Sequence, residues 1–323
     1  MVRRYRGRVV GPGNLSSTRV SWQDLPGGVR DEIERVVGAS VCSATTIHSG
    51  FSPGLLARLV LSNGSEVFAK VCASSMNPRT PLLHRREAQV MAGLTESVAA
   101  VRLVGAVQQG EWSGIVTEFF AGAHAGLTDE SIRSAAQLAD SFARAPVPET
   151  LERHTNLLSN DFLWFGLRRL MDRDGCLPSP WSDANSDRLV RLESEMVSAV
   201  EGNNLVHGDL RADNVLVNSD GLAVAVDWPA AAVGNPLFDQ LTLIVSLALV
   251  SGRPAEVVAG FSTQLENIDA SVVTTLLVGL YGHYLWASTL NNPPGIPGVR
   301  SYQSQLANVL ERWLTARLRT GWA

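Results

Sequence analysis

Apolar residues along this chain change their period near residue 120. Before that point they fall into short runs at Val41–His48, Leu55–Leu61, Glu66–Cys72, Val101–Gln108 and Gly114–Phe119, with the length and β-branched content of strands. Ser62-Asn63-Gly64-Ser65 separates the second run from the third. Asn-Gly readily supplies positive φ, so these two runs are expected to form a hairpin. Helical spacing marks Asp31–Val37 and Leu82–Leu94 in this half. It then dominates, at Asp129–Ala143, Asp161–Met171, Asp187–Val200, Leu237–Val250, Ala255–Gln264, Ala270–Leu290 and Tyr302–Leu318. Two short strands, Val215–Val217 and Ala223–Val226, interrupt the helices, and Asn-Asn-Pro-Pro-Gly-Ile-Pro-Gly at 291–298 must be a loop.

The pattern predicts an α+β chain of two lobes, a small β-rich N-lobe and a large, mainly helical C-lobe. Residues 1–25 are a polar and flexible lead-in, 26–119 the N-lobe, 120–126 (FAGAHAG) a hinge and 127–323 the C-lobe. Three strands, a helix and two more strands is the order of a kinase N-lobe, so the expected fold is bilobal and protein-kinase-like.

Composition narrows the classes. Hydrophobic residues make up 45% and charged residues 18%, as in ordinary soluble globular proteins. A formal net charge of −4 gives no basic field to recruit nucleic acid or an anionic membrane, so neither is expected as a partner. MVRRYRGRVV looks like a signal-peptide n-region, but Gly11-Pro12-Gly13-Asn14 follows in place of an apolar core, and no targeting segment is expected. The apolar run Leu241–Val250 is about half the length that spans a bilayer and reads as a buried helix. Cys42, Cys72 and Cys176 fit neither a zinc pattern nor a disulfide framework, which agrees with a reducing cytoplasm.

The chemistry concentrates in His207-Gly208-Asp209-Leu210-Arg211-Ala212-Asp213-Asn214, a polar loop between apolar flanks. Such a loop is costly to enclose unless its polar groups are used. Phosphoryl transfer uses them: a carboxylate accepts the proton of the acceptor hydroxyl, and an amide oxygen five residues later holds a metal ion. Asp209 and Asn214 have that spacing. Thirteen residues after Asn214, Asp227 ends an apolar strand and is placed to be a second hard-oxygen ligand for Mg²⁺ on nucleotide phosphates.

HGDLRADNVL together with AVDWPAAAVGNPLFD resembles the aminoglycoside phosphotransferase family, whose relatives include choline kinase and the eukaryotic protein kinases. The wording is similar to actinobacterial members, and the resemblance covers roughly residues 41–250. It implies Asp209 as catalytic base, Asn214 and Asp227 as metal ligands, His207 as a structural residue of the loop and Asp239 as the buried carboxylate that holds the loop backbone. Arg211 is expected either to neutralise phosphate charge or to pair with Asp213.

The N-lobe must supply the rest. Lys70, at the end of a β-run, has the position of the kinase strand lysine, and Glu87 on the following helix is its expected ion-pair partner. Ser49-Gly50-Phe51-Ser52-Pro53-Gly54 lies where a phosphate-covering loop belongs, but it is not G-x-G-x-x-G, and Pro53 removes one N–H. Ser49 and Ser52 are its hydroxyl candidates, and a plain β-turn is the alternative. Main-chain groups of Thr117-Glu118-Phe119-Phe120 are expected to meet a purine base, with Glu118 and Phe119 central. Pro229, after Asp227-Trp228, stiffens the segment where protein kinases have Asp-Phe-Gly.

Only twelve positions separate Asp227 from Asp239, and no Ala-Pro-Glu follows, which points to a small-molecule acceptor and away from a protein substrate. A polyamine acceptor calls for an acidic pocket. Residues 251–323 hold four acidic residues against five arginines, and 126–175 hold eight acidic against six basic, so neither stretch is a carboxylate cluster. Trp164, Trp181, Trp228, Trp286 and Trp313 are core residues or stacking surfaces. The leading expectation is an Mg²⁺-dependent kinase that moves the γ-phosphate of ATP or GTP to a hydroxyl of a small molecule. An antibiotic phosphotransferase is the runner-up, and a catalytically silent nucleotide-binding regulator or a helical interaction module the readings of another class.

Overall fold

A computed structural model describes residues 17–160, 163–263, 265 and 268–319. Chain order begins with α1 (Gly27–Val37), β1 (Val41–Thr46), β2 (Leu55–Leu61), β3 (Glu66–Ala73), α2 (Thr80–Gly93), β4 (Leu103–Gln109) and β5 (Trp112–Glu118). These strands form one antiparallel sheet in the order β1-β2-β3-β5-β4. The Asn-Gly hairpin forms as its sequence demands: Gly64 has φ +83°, and the Asn63 side chain accepts from the Ser65 N–H at 3.0 Å.

Next come β6 (Ala123–His124), α3 (Asp129–Phe142), α4 (His154–Asn160), α5 (Gly166–Asp174), α6 (Pro180–Ala184), α7 (Ser186–Ser194), α8 (Met196–Ala199) and β7 (Asn204–Val206). A 3₁₀ turn, Ala212–Asn214, leads into β8 (Val215–Val217), β9 (Ala223–Ala225) and β10 (Ala232–Gly234). The chain closes with α9 (Leu237–Ser251), α10 (Ala255–Ala259), α11 (Ala270–Ser288) and α12 (Val299–Arg319). The architecture is α+β, a β-rich N-lobe above a mainly helical C-lobe.

Two apolar cores hold it. One lies between the sheet and α1 and contains Val29, Ile33, Leu55, Leu59 and Val116. The other is continuous from α2, through Ala88 and Met91, into the helices, where Phe142, Leu241, Leu277 and Leu310 are buried. The central sheet is therefore bound to the helical body through α2. α11 is long and apolar enough to cross a membrane by length and composition, yet 67% of it is buried inside this fold.

Several boundaries differ from the sequence expectation, some of them for a tertiary reason. The predicted helix Asp161–Met171 is not one helix. α4 ends at Asn160, 161 and 162 lie outside the described residues, and α5 starts at Gly166. Glu193 of α7 fixes that start by accepting from the N–H groups of Leu167 and Arg168, each at 3.0 Å. This is a helix cap supplied from 26 residues away, which no local pattern announces. The predicted helix Asp187–Val200 divides into α7 and α8, and Ala255–Gln264 shortens to α10. β10 and β6 were not expected. They form because β10 pairs with β7 and β6 with β8, and β6 takes two residues of the predicted hinge. Of the predicted lead-in, residues 1–16 lie outside the described residues, whereas Ser17 and Leu25 are buried.

Replacing Glu193 by Ala strips the cap from the N–H groups of Leu167, which is buried, and Arg168, which is exposed, and a loss of about 1–2 kcal/mol of unfolding free energy is expected. Urea denaturation measures it; an unchanged midpoint would show that water replaces the carboxylate.

Candidate active site

β3 runs between β2 and β5, so Lys70 is flanked by Leu56 and Ile115 and is only 6% exposed. A buried ammonium needs carboxylates, and two reach it. Glu87 of α2 lies at 2.7 Å and Asp227 at 2.6 Å. Burial alone would lower the Lys70 pKa, but Asp227 and Glu87 together raise it well above its ordinary value. Burial also works against the Asp227 carboxylate, yet Lys70 outweighs it and holds the group down at about 2. Glu87, 1% exposed, is pushed up to about 7 by burial, with Lys70 pulling the other way. Its other oxygen accepts from the Trp228 N–H at 3.3 Å. Asp227 has φ +70°, a left-handed conformation that a non-glycine residue adopts at a cost and keeps only when its contacts over-determine it.

The loop after β7 is held from beneath. Asp239, fully buried at the start of α9, accepts from the N–H groups of His207 at 2.6 Å and Gly208 at 2.9 Å. Burial raises its pKa to about 7, and the two N–H donors oppose the rise. His207 is also fully buried, and burial lowers it to about 4. It is therefore neutral, with Nδ1 accepting from the Asp209 N–H at 3.3 Å and Nε2 donating to the Val226 carbonyl at 3.0 Å. Gly208 has φ +78°, and a Cβ there would lie 2.2 Å from the Ala230 carbonyl oxygen, so only glycine fits.

These fastenings place Asp209, Arg211 and Asn214. The Asn214 amide donates to the Asp209 carbonyl at 2.8 Å, which orients the side chain by its nitrogen. Arg211 forms a two-pronged contact with Asp213, at 3.0 and 3.1 Å, and also bonds Asp209. Of the two expectations for Arg211, pairing with Asp213 is present, and the contact with Asp209 was not anticipated. Enclosure pushes the Asp209 carboxyl up to about 6, opposed by Arg211.

Two cavities meet at these residues. One, of about 270 Å³, lies between the lobes and brings together Lys70, Glu87, Ser49, Ser52, Asn214 and Asp227, with Glu118 and Phe119 also in its lining. The other, of about 700 Å³, is lined by Asp209 and runs beneath the C-lobe helices. Arg211 and Asp227 face both. Every expected site residue thus gathers here, with His207 and Asp239 behind the loop. At the end of β5, the Glu118 N–H is engaged by the Arg102 carbonyl at 2.9 Å.

Trp228 is fully buried and Trp313 is 3% exposed; both are core. Trp164 instead faces the larger cavity, its ring 5.8 Å from Phe238. The sequence reading missed Arg19, whose side chain bonds carbonyls of the Ser49–Gly54 loop. It also missed His84, 2% exposed on α2, which lines the larger cavity. Neither belongs to a motif, and only tertiary contact reveals them.

A set of this kind, a buried strand lysine on a helix glutamate and an Asp–Asn loop latched by a buried aspartate, is that of a kinase-like phosphotransferase. The profile of APH, the phosphotransferase enzyme family, matches residues 44–272, and the chain belongs to that family. Among solved structures, an aminoglycoside phosphotransferase from Alicyclobacillus acidocaldarius is 17% identical, with a TM-score of 0.55 over 92% of this chain and 96% of that one. A thermostable mutant of aminoglycoside phosphotransferase APH(4)-Ia, in ternary complex with ADP and hygromycin B, is 13% identical, with a TM-score of 0.58 over 92% of this chain and 99% of that one. Spectinomycin phosphotransferase APH(9)-Ia, with ADP and spectinomycin, is 12% identical, with a TM-score of 0.53 over 87% and 92%. At these identities the likeness is one of fold. No curated protein sequence matches the chain.

Replacing Lys70 by Met leaves Glu87 and Asp227 facing each other without a cation, and is expected to destabilise the fold by about 3–5 kcal/mol. Adding Glu87→Gln should restore part of that loss, which a double-mutant cycle in urea measures. Strict additivity of the two changes would show that the pair is not coupled.

Proposed function

We propose that this protein is an Mg²⁺-dependent kinase that transfers the γ-phosphoryl group of ATP or GTP to a hydroxyl of a small molecule. The observation that carries this reading is the junction of the two cavities. The smaller has the lysine and hard-oxygen groups that suit a nucleotide's phosphates, the larger is lined by Asp209 and has room for an acceptor, and Arg211 and Asp227 line both. Asn214 and Asp227 are the metal ligands in this reading. A carboxylate and an amide oxygen are the hard donors Mg²⁺ takes alongside phosphate oxygens, and the Asn214 amide nitrogen is engaged elsewhere, which leaves its oxygen available. Bound there, Mg²⁺ would neutralise charge on the transferring phosphoryl group. Asp209 accepts the proton of the acceptor hydroxyl, and Lys70 orients the nucleotide. Solved structures of similar fold hold ADP with hygromycin B or with spectinomycin, which supports a nucleotide beside a hydroxylated acceptor here as well. The cytoplasm, which supplies nucleotide, Mg²⁺ and reducing conditions for Cys72, is the proposed location.

Among the described residues, the carboxylates facing the larger cavity are Glu87, Asp209 and Asp227, and each is already paired with Lys70 or Arg211. Arg86 in the same lining is paired with Glu152 at 3.6 Å, and Leu158, Trp164 and Tyr284 make much of the lining apolar. This lining favours a weakly charged, ring-bearing alcohol over a polyamine antibiotic. The complete lysine, base and metal-ligand set favours turnover over a silent regulator.

Labelled ATP and GTP offered with neutral aryl glycosides, amino alcohols and aminoglycosides should yield product first among the neutral ring alcohols. Selective labelling of aminoglycosides would reverse the acceptor assignment. With any productive acceptor, kcat/KM should fall about tenfold per pH unit below about 6, as Asp209 becomes protonated. Asp209→Asn should reduce turnover by two orders of magnitude or more, by about the contribution of a general base. Turnover left intact by that change would remove the base assignment.

A further inference from the structure

The Ser49–Gly54 loop lacks the glycine spacing that usually shapes a phosphate cradle, yet its backbone is held in one orientation from outside. Arg19, from the segment that enters α1, directs its guanidinium at the carbonyl side of the loop. Nε donates to Ile47 at 3.1 Å and Nη2 to Gly50 at 3.0 Å, and the Nη groups also bond the carbonyls of Ser49 and Ser52. The Ser17 hydroxyl adds a bond to the Gly50 carbonyl at 2.8 Å. The planar fork of arginine suits such a fan of acceptors, where an ammonium would reach fewer.

With the carbonyls so engaged, the N–H groups are left over. Among the described residues, none accepts from the N–H of Ser49, Gly50, Phe51 or Ser52, and those four residues line the smaller cavity beside Lys70 and Asp227. Successive N–H groups turned to one side form an anion-binding concavity. A cation on the carbonyl side polarises the same peptides further toward it. The segment carrying Arg19 is itself tied down: Gly54 donates to the Thr18 carbonyl at 2.9 Å, and Thr18 donates to the Gly295 carbonyl at 3.0 Å. Gly54 has φ +98°, and a Cβ there would lie 2.2 Å from the Val71 carbonyl oxygen, so the loop's exit is fixed as well.

We infer that Arg19 is a positioning residue for the nucleotide's phosphates: by gathering the loop carbonyls it presents the loop N–H groups to the β- and γ-phosphates, in place of a glycine-rich sequence. The inference rests on the phosphotransfer reading above. Arg19 touches the loop and not the nucleotide, so its effect must scale with phosphate and not with the base.

Calorimetry of adenosine, ADP and AMP-PNP, each with Mg²⁺, separates these contributions on the full chain and on its Arg19→Ala and Arg19→Lys variants. Arg19→Ala is expected to weaken AMP-PNP by at least about tenfold while adenosine shifts by less than about twofold. Arg19→Lys keeps the charge but loses the fork, and should fall between the parent and Arg19→Ala. A parallel loss for adenosine and AMP-PNP, or AMP-PNP affinity unchanged in the variants, overturns the inference. Should Arg19→Ala fail to fold, Arg19→Lys decides alone, a selective loss for AMP-PNP supporting the inference and parent-like affinity overturning it. If the parent itself binds no AMP-PNP with Mg²⁺, the phosphotransfer reading fails first and this inference with it.

Discussion

A single buried ammonium organises this molecule. Lys70 lies in the middle of a sheet, almost without solvent, and can be there only because two carboxylates answer it. One comes from the next helix and the other from a strand end 157 residues away in sequence. Meeting that demand brings α2 against the sheet and sets Asp227 in a left-handed conformation. It also joins the N-lobe to the body that carries the Asp209 loop. The continuous apolar core running from α2 into the helices supports the same join from the hydrophobic side. The gap left between the two lobes is the smaller cavity.

The loop beneath that cavity depends on a second buried carboxylate. Asp239 takes the backbone of His207 and Gly208, His207 passes the constraint to Asp209 and Val226, and Asn214 closes back on the Asp209 carbonyl. Each member uses its hydrogen-bonding capacity on another member, so the polar loop can lie against apolar neighbours. The side chains left lining the cavities, Asp209, Asn214, Asp227 and Arg211, are those the proposed chemistry would use.

Much of this was legible in the sequence, for physical reasons. A run of polar residues between apolar flanks, at 207–214, is improbable unless used, so the loop, Asn214 and Asp227 could be read locally. Lys70 stood out as a charge inside a strand, and the nearest acidic helix position supplied Glu87. What the sequence hid was whatever one segment does to a distant one. Glu193 starts α5 from another helix, β6 and β10 are strands only because of their partners, and Arg19 shapes a loop some thirty residues on. The loop at 49–54 looked defective because its own residues were judged alone. Its geometry is supplied by a side chain outside it. The larger cavity was equally hidden, since its lining is drawn from α2, α4, α9, α11 and α12, and only their packing shows that its carboxylates are already paired.

The proposed mechanism requires Asp227 to serve both Lys70 and a metal-bound nucleotide, and one titration reaches that requirement most directly. AMP-PNP affinity should be measured with Mg²⁺ and with EDTA, on the parent chain and on Asp227→Ala. The account predicts that Mg²⁺ tightens binding to the parent by an order of magnitude or more and leaves Asp227→Ala unaffected, as loss of a metal ligand requires. Equal affinity in Mg²⁺ and EDTA for the parent, or a full Mg²⁺ effect in Asp227→Ala, would contradict it.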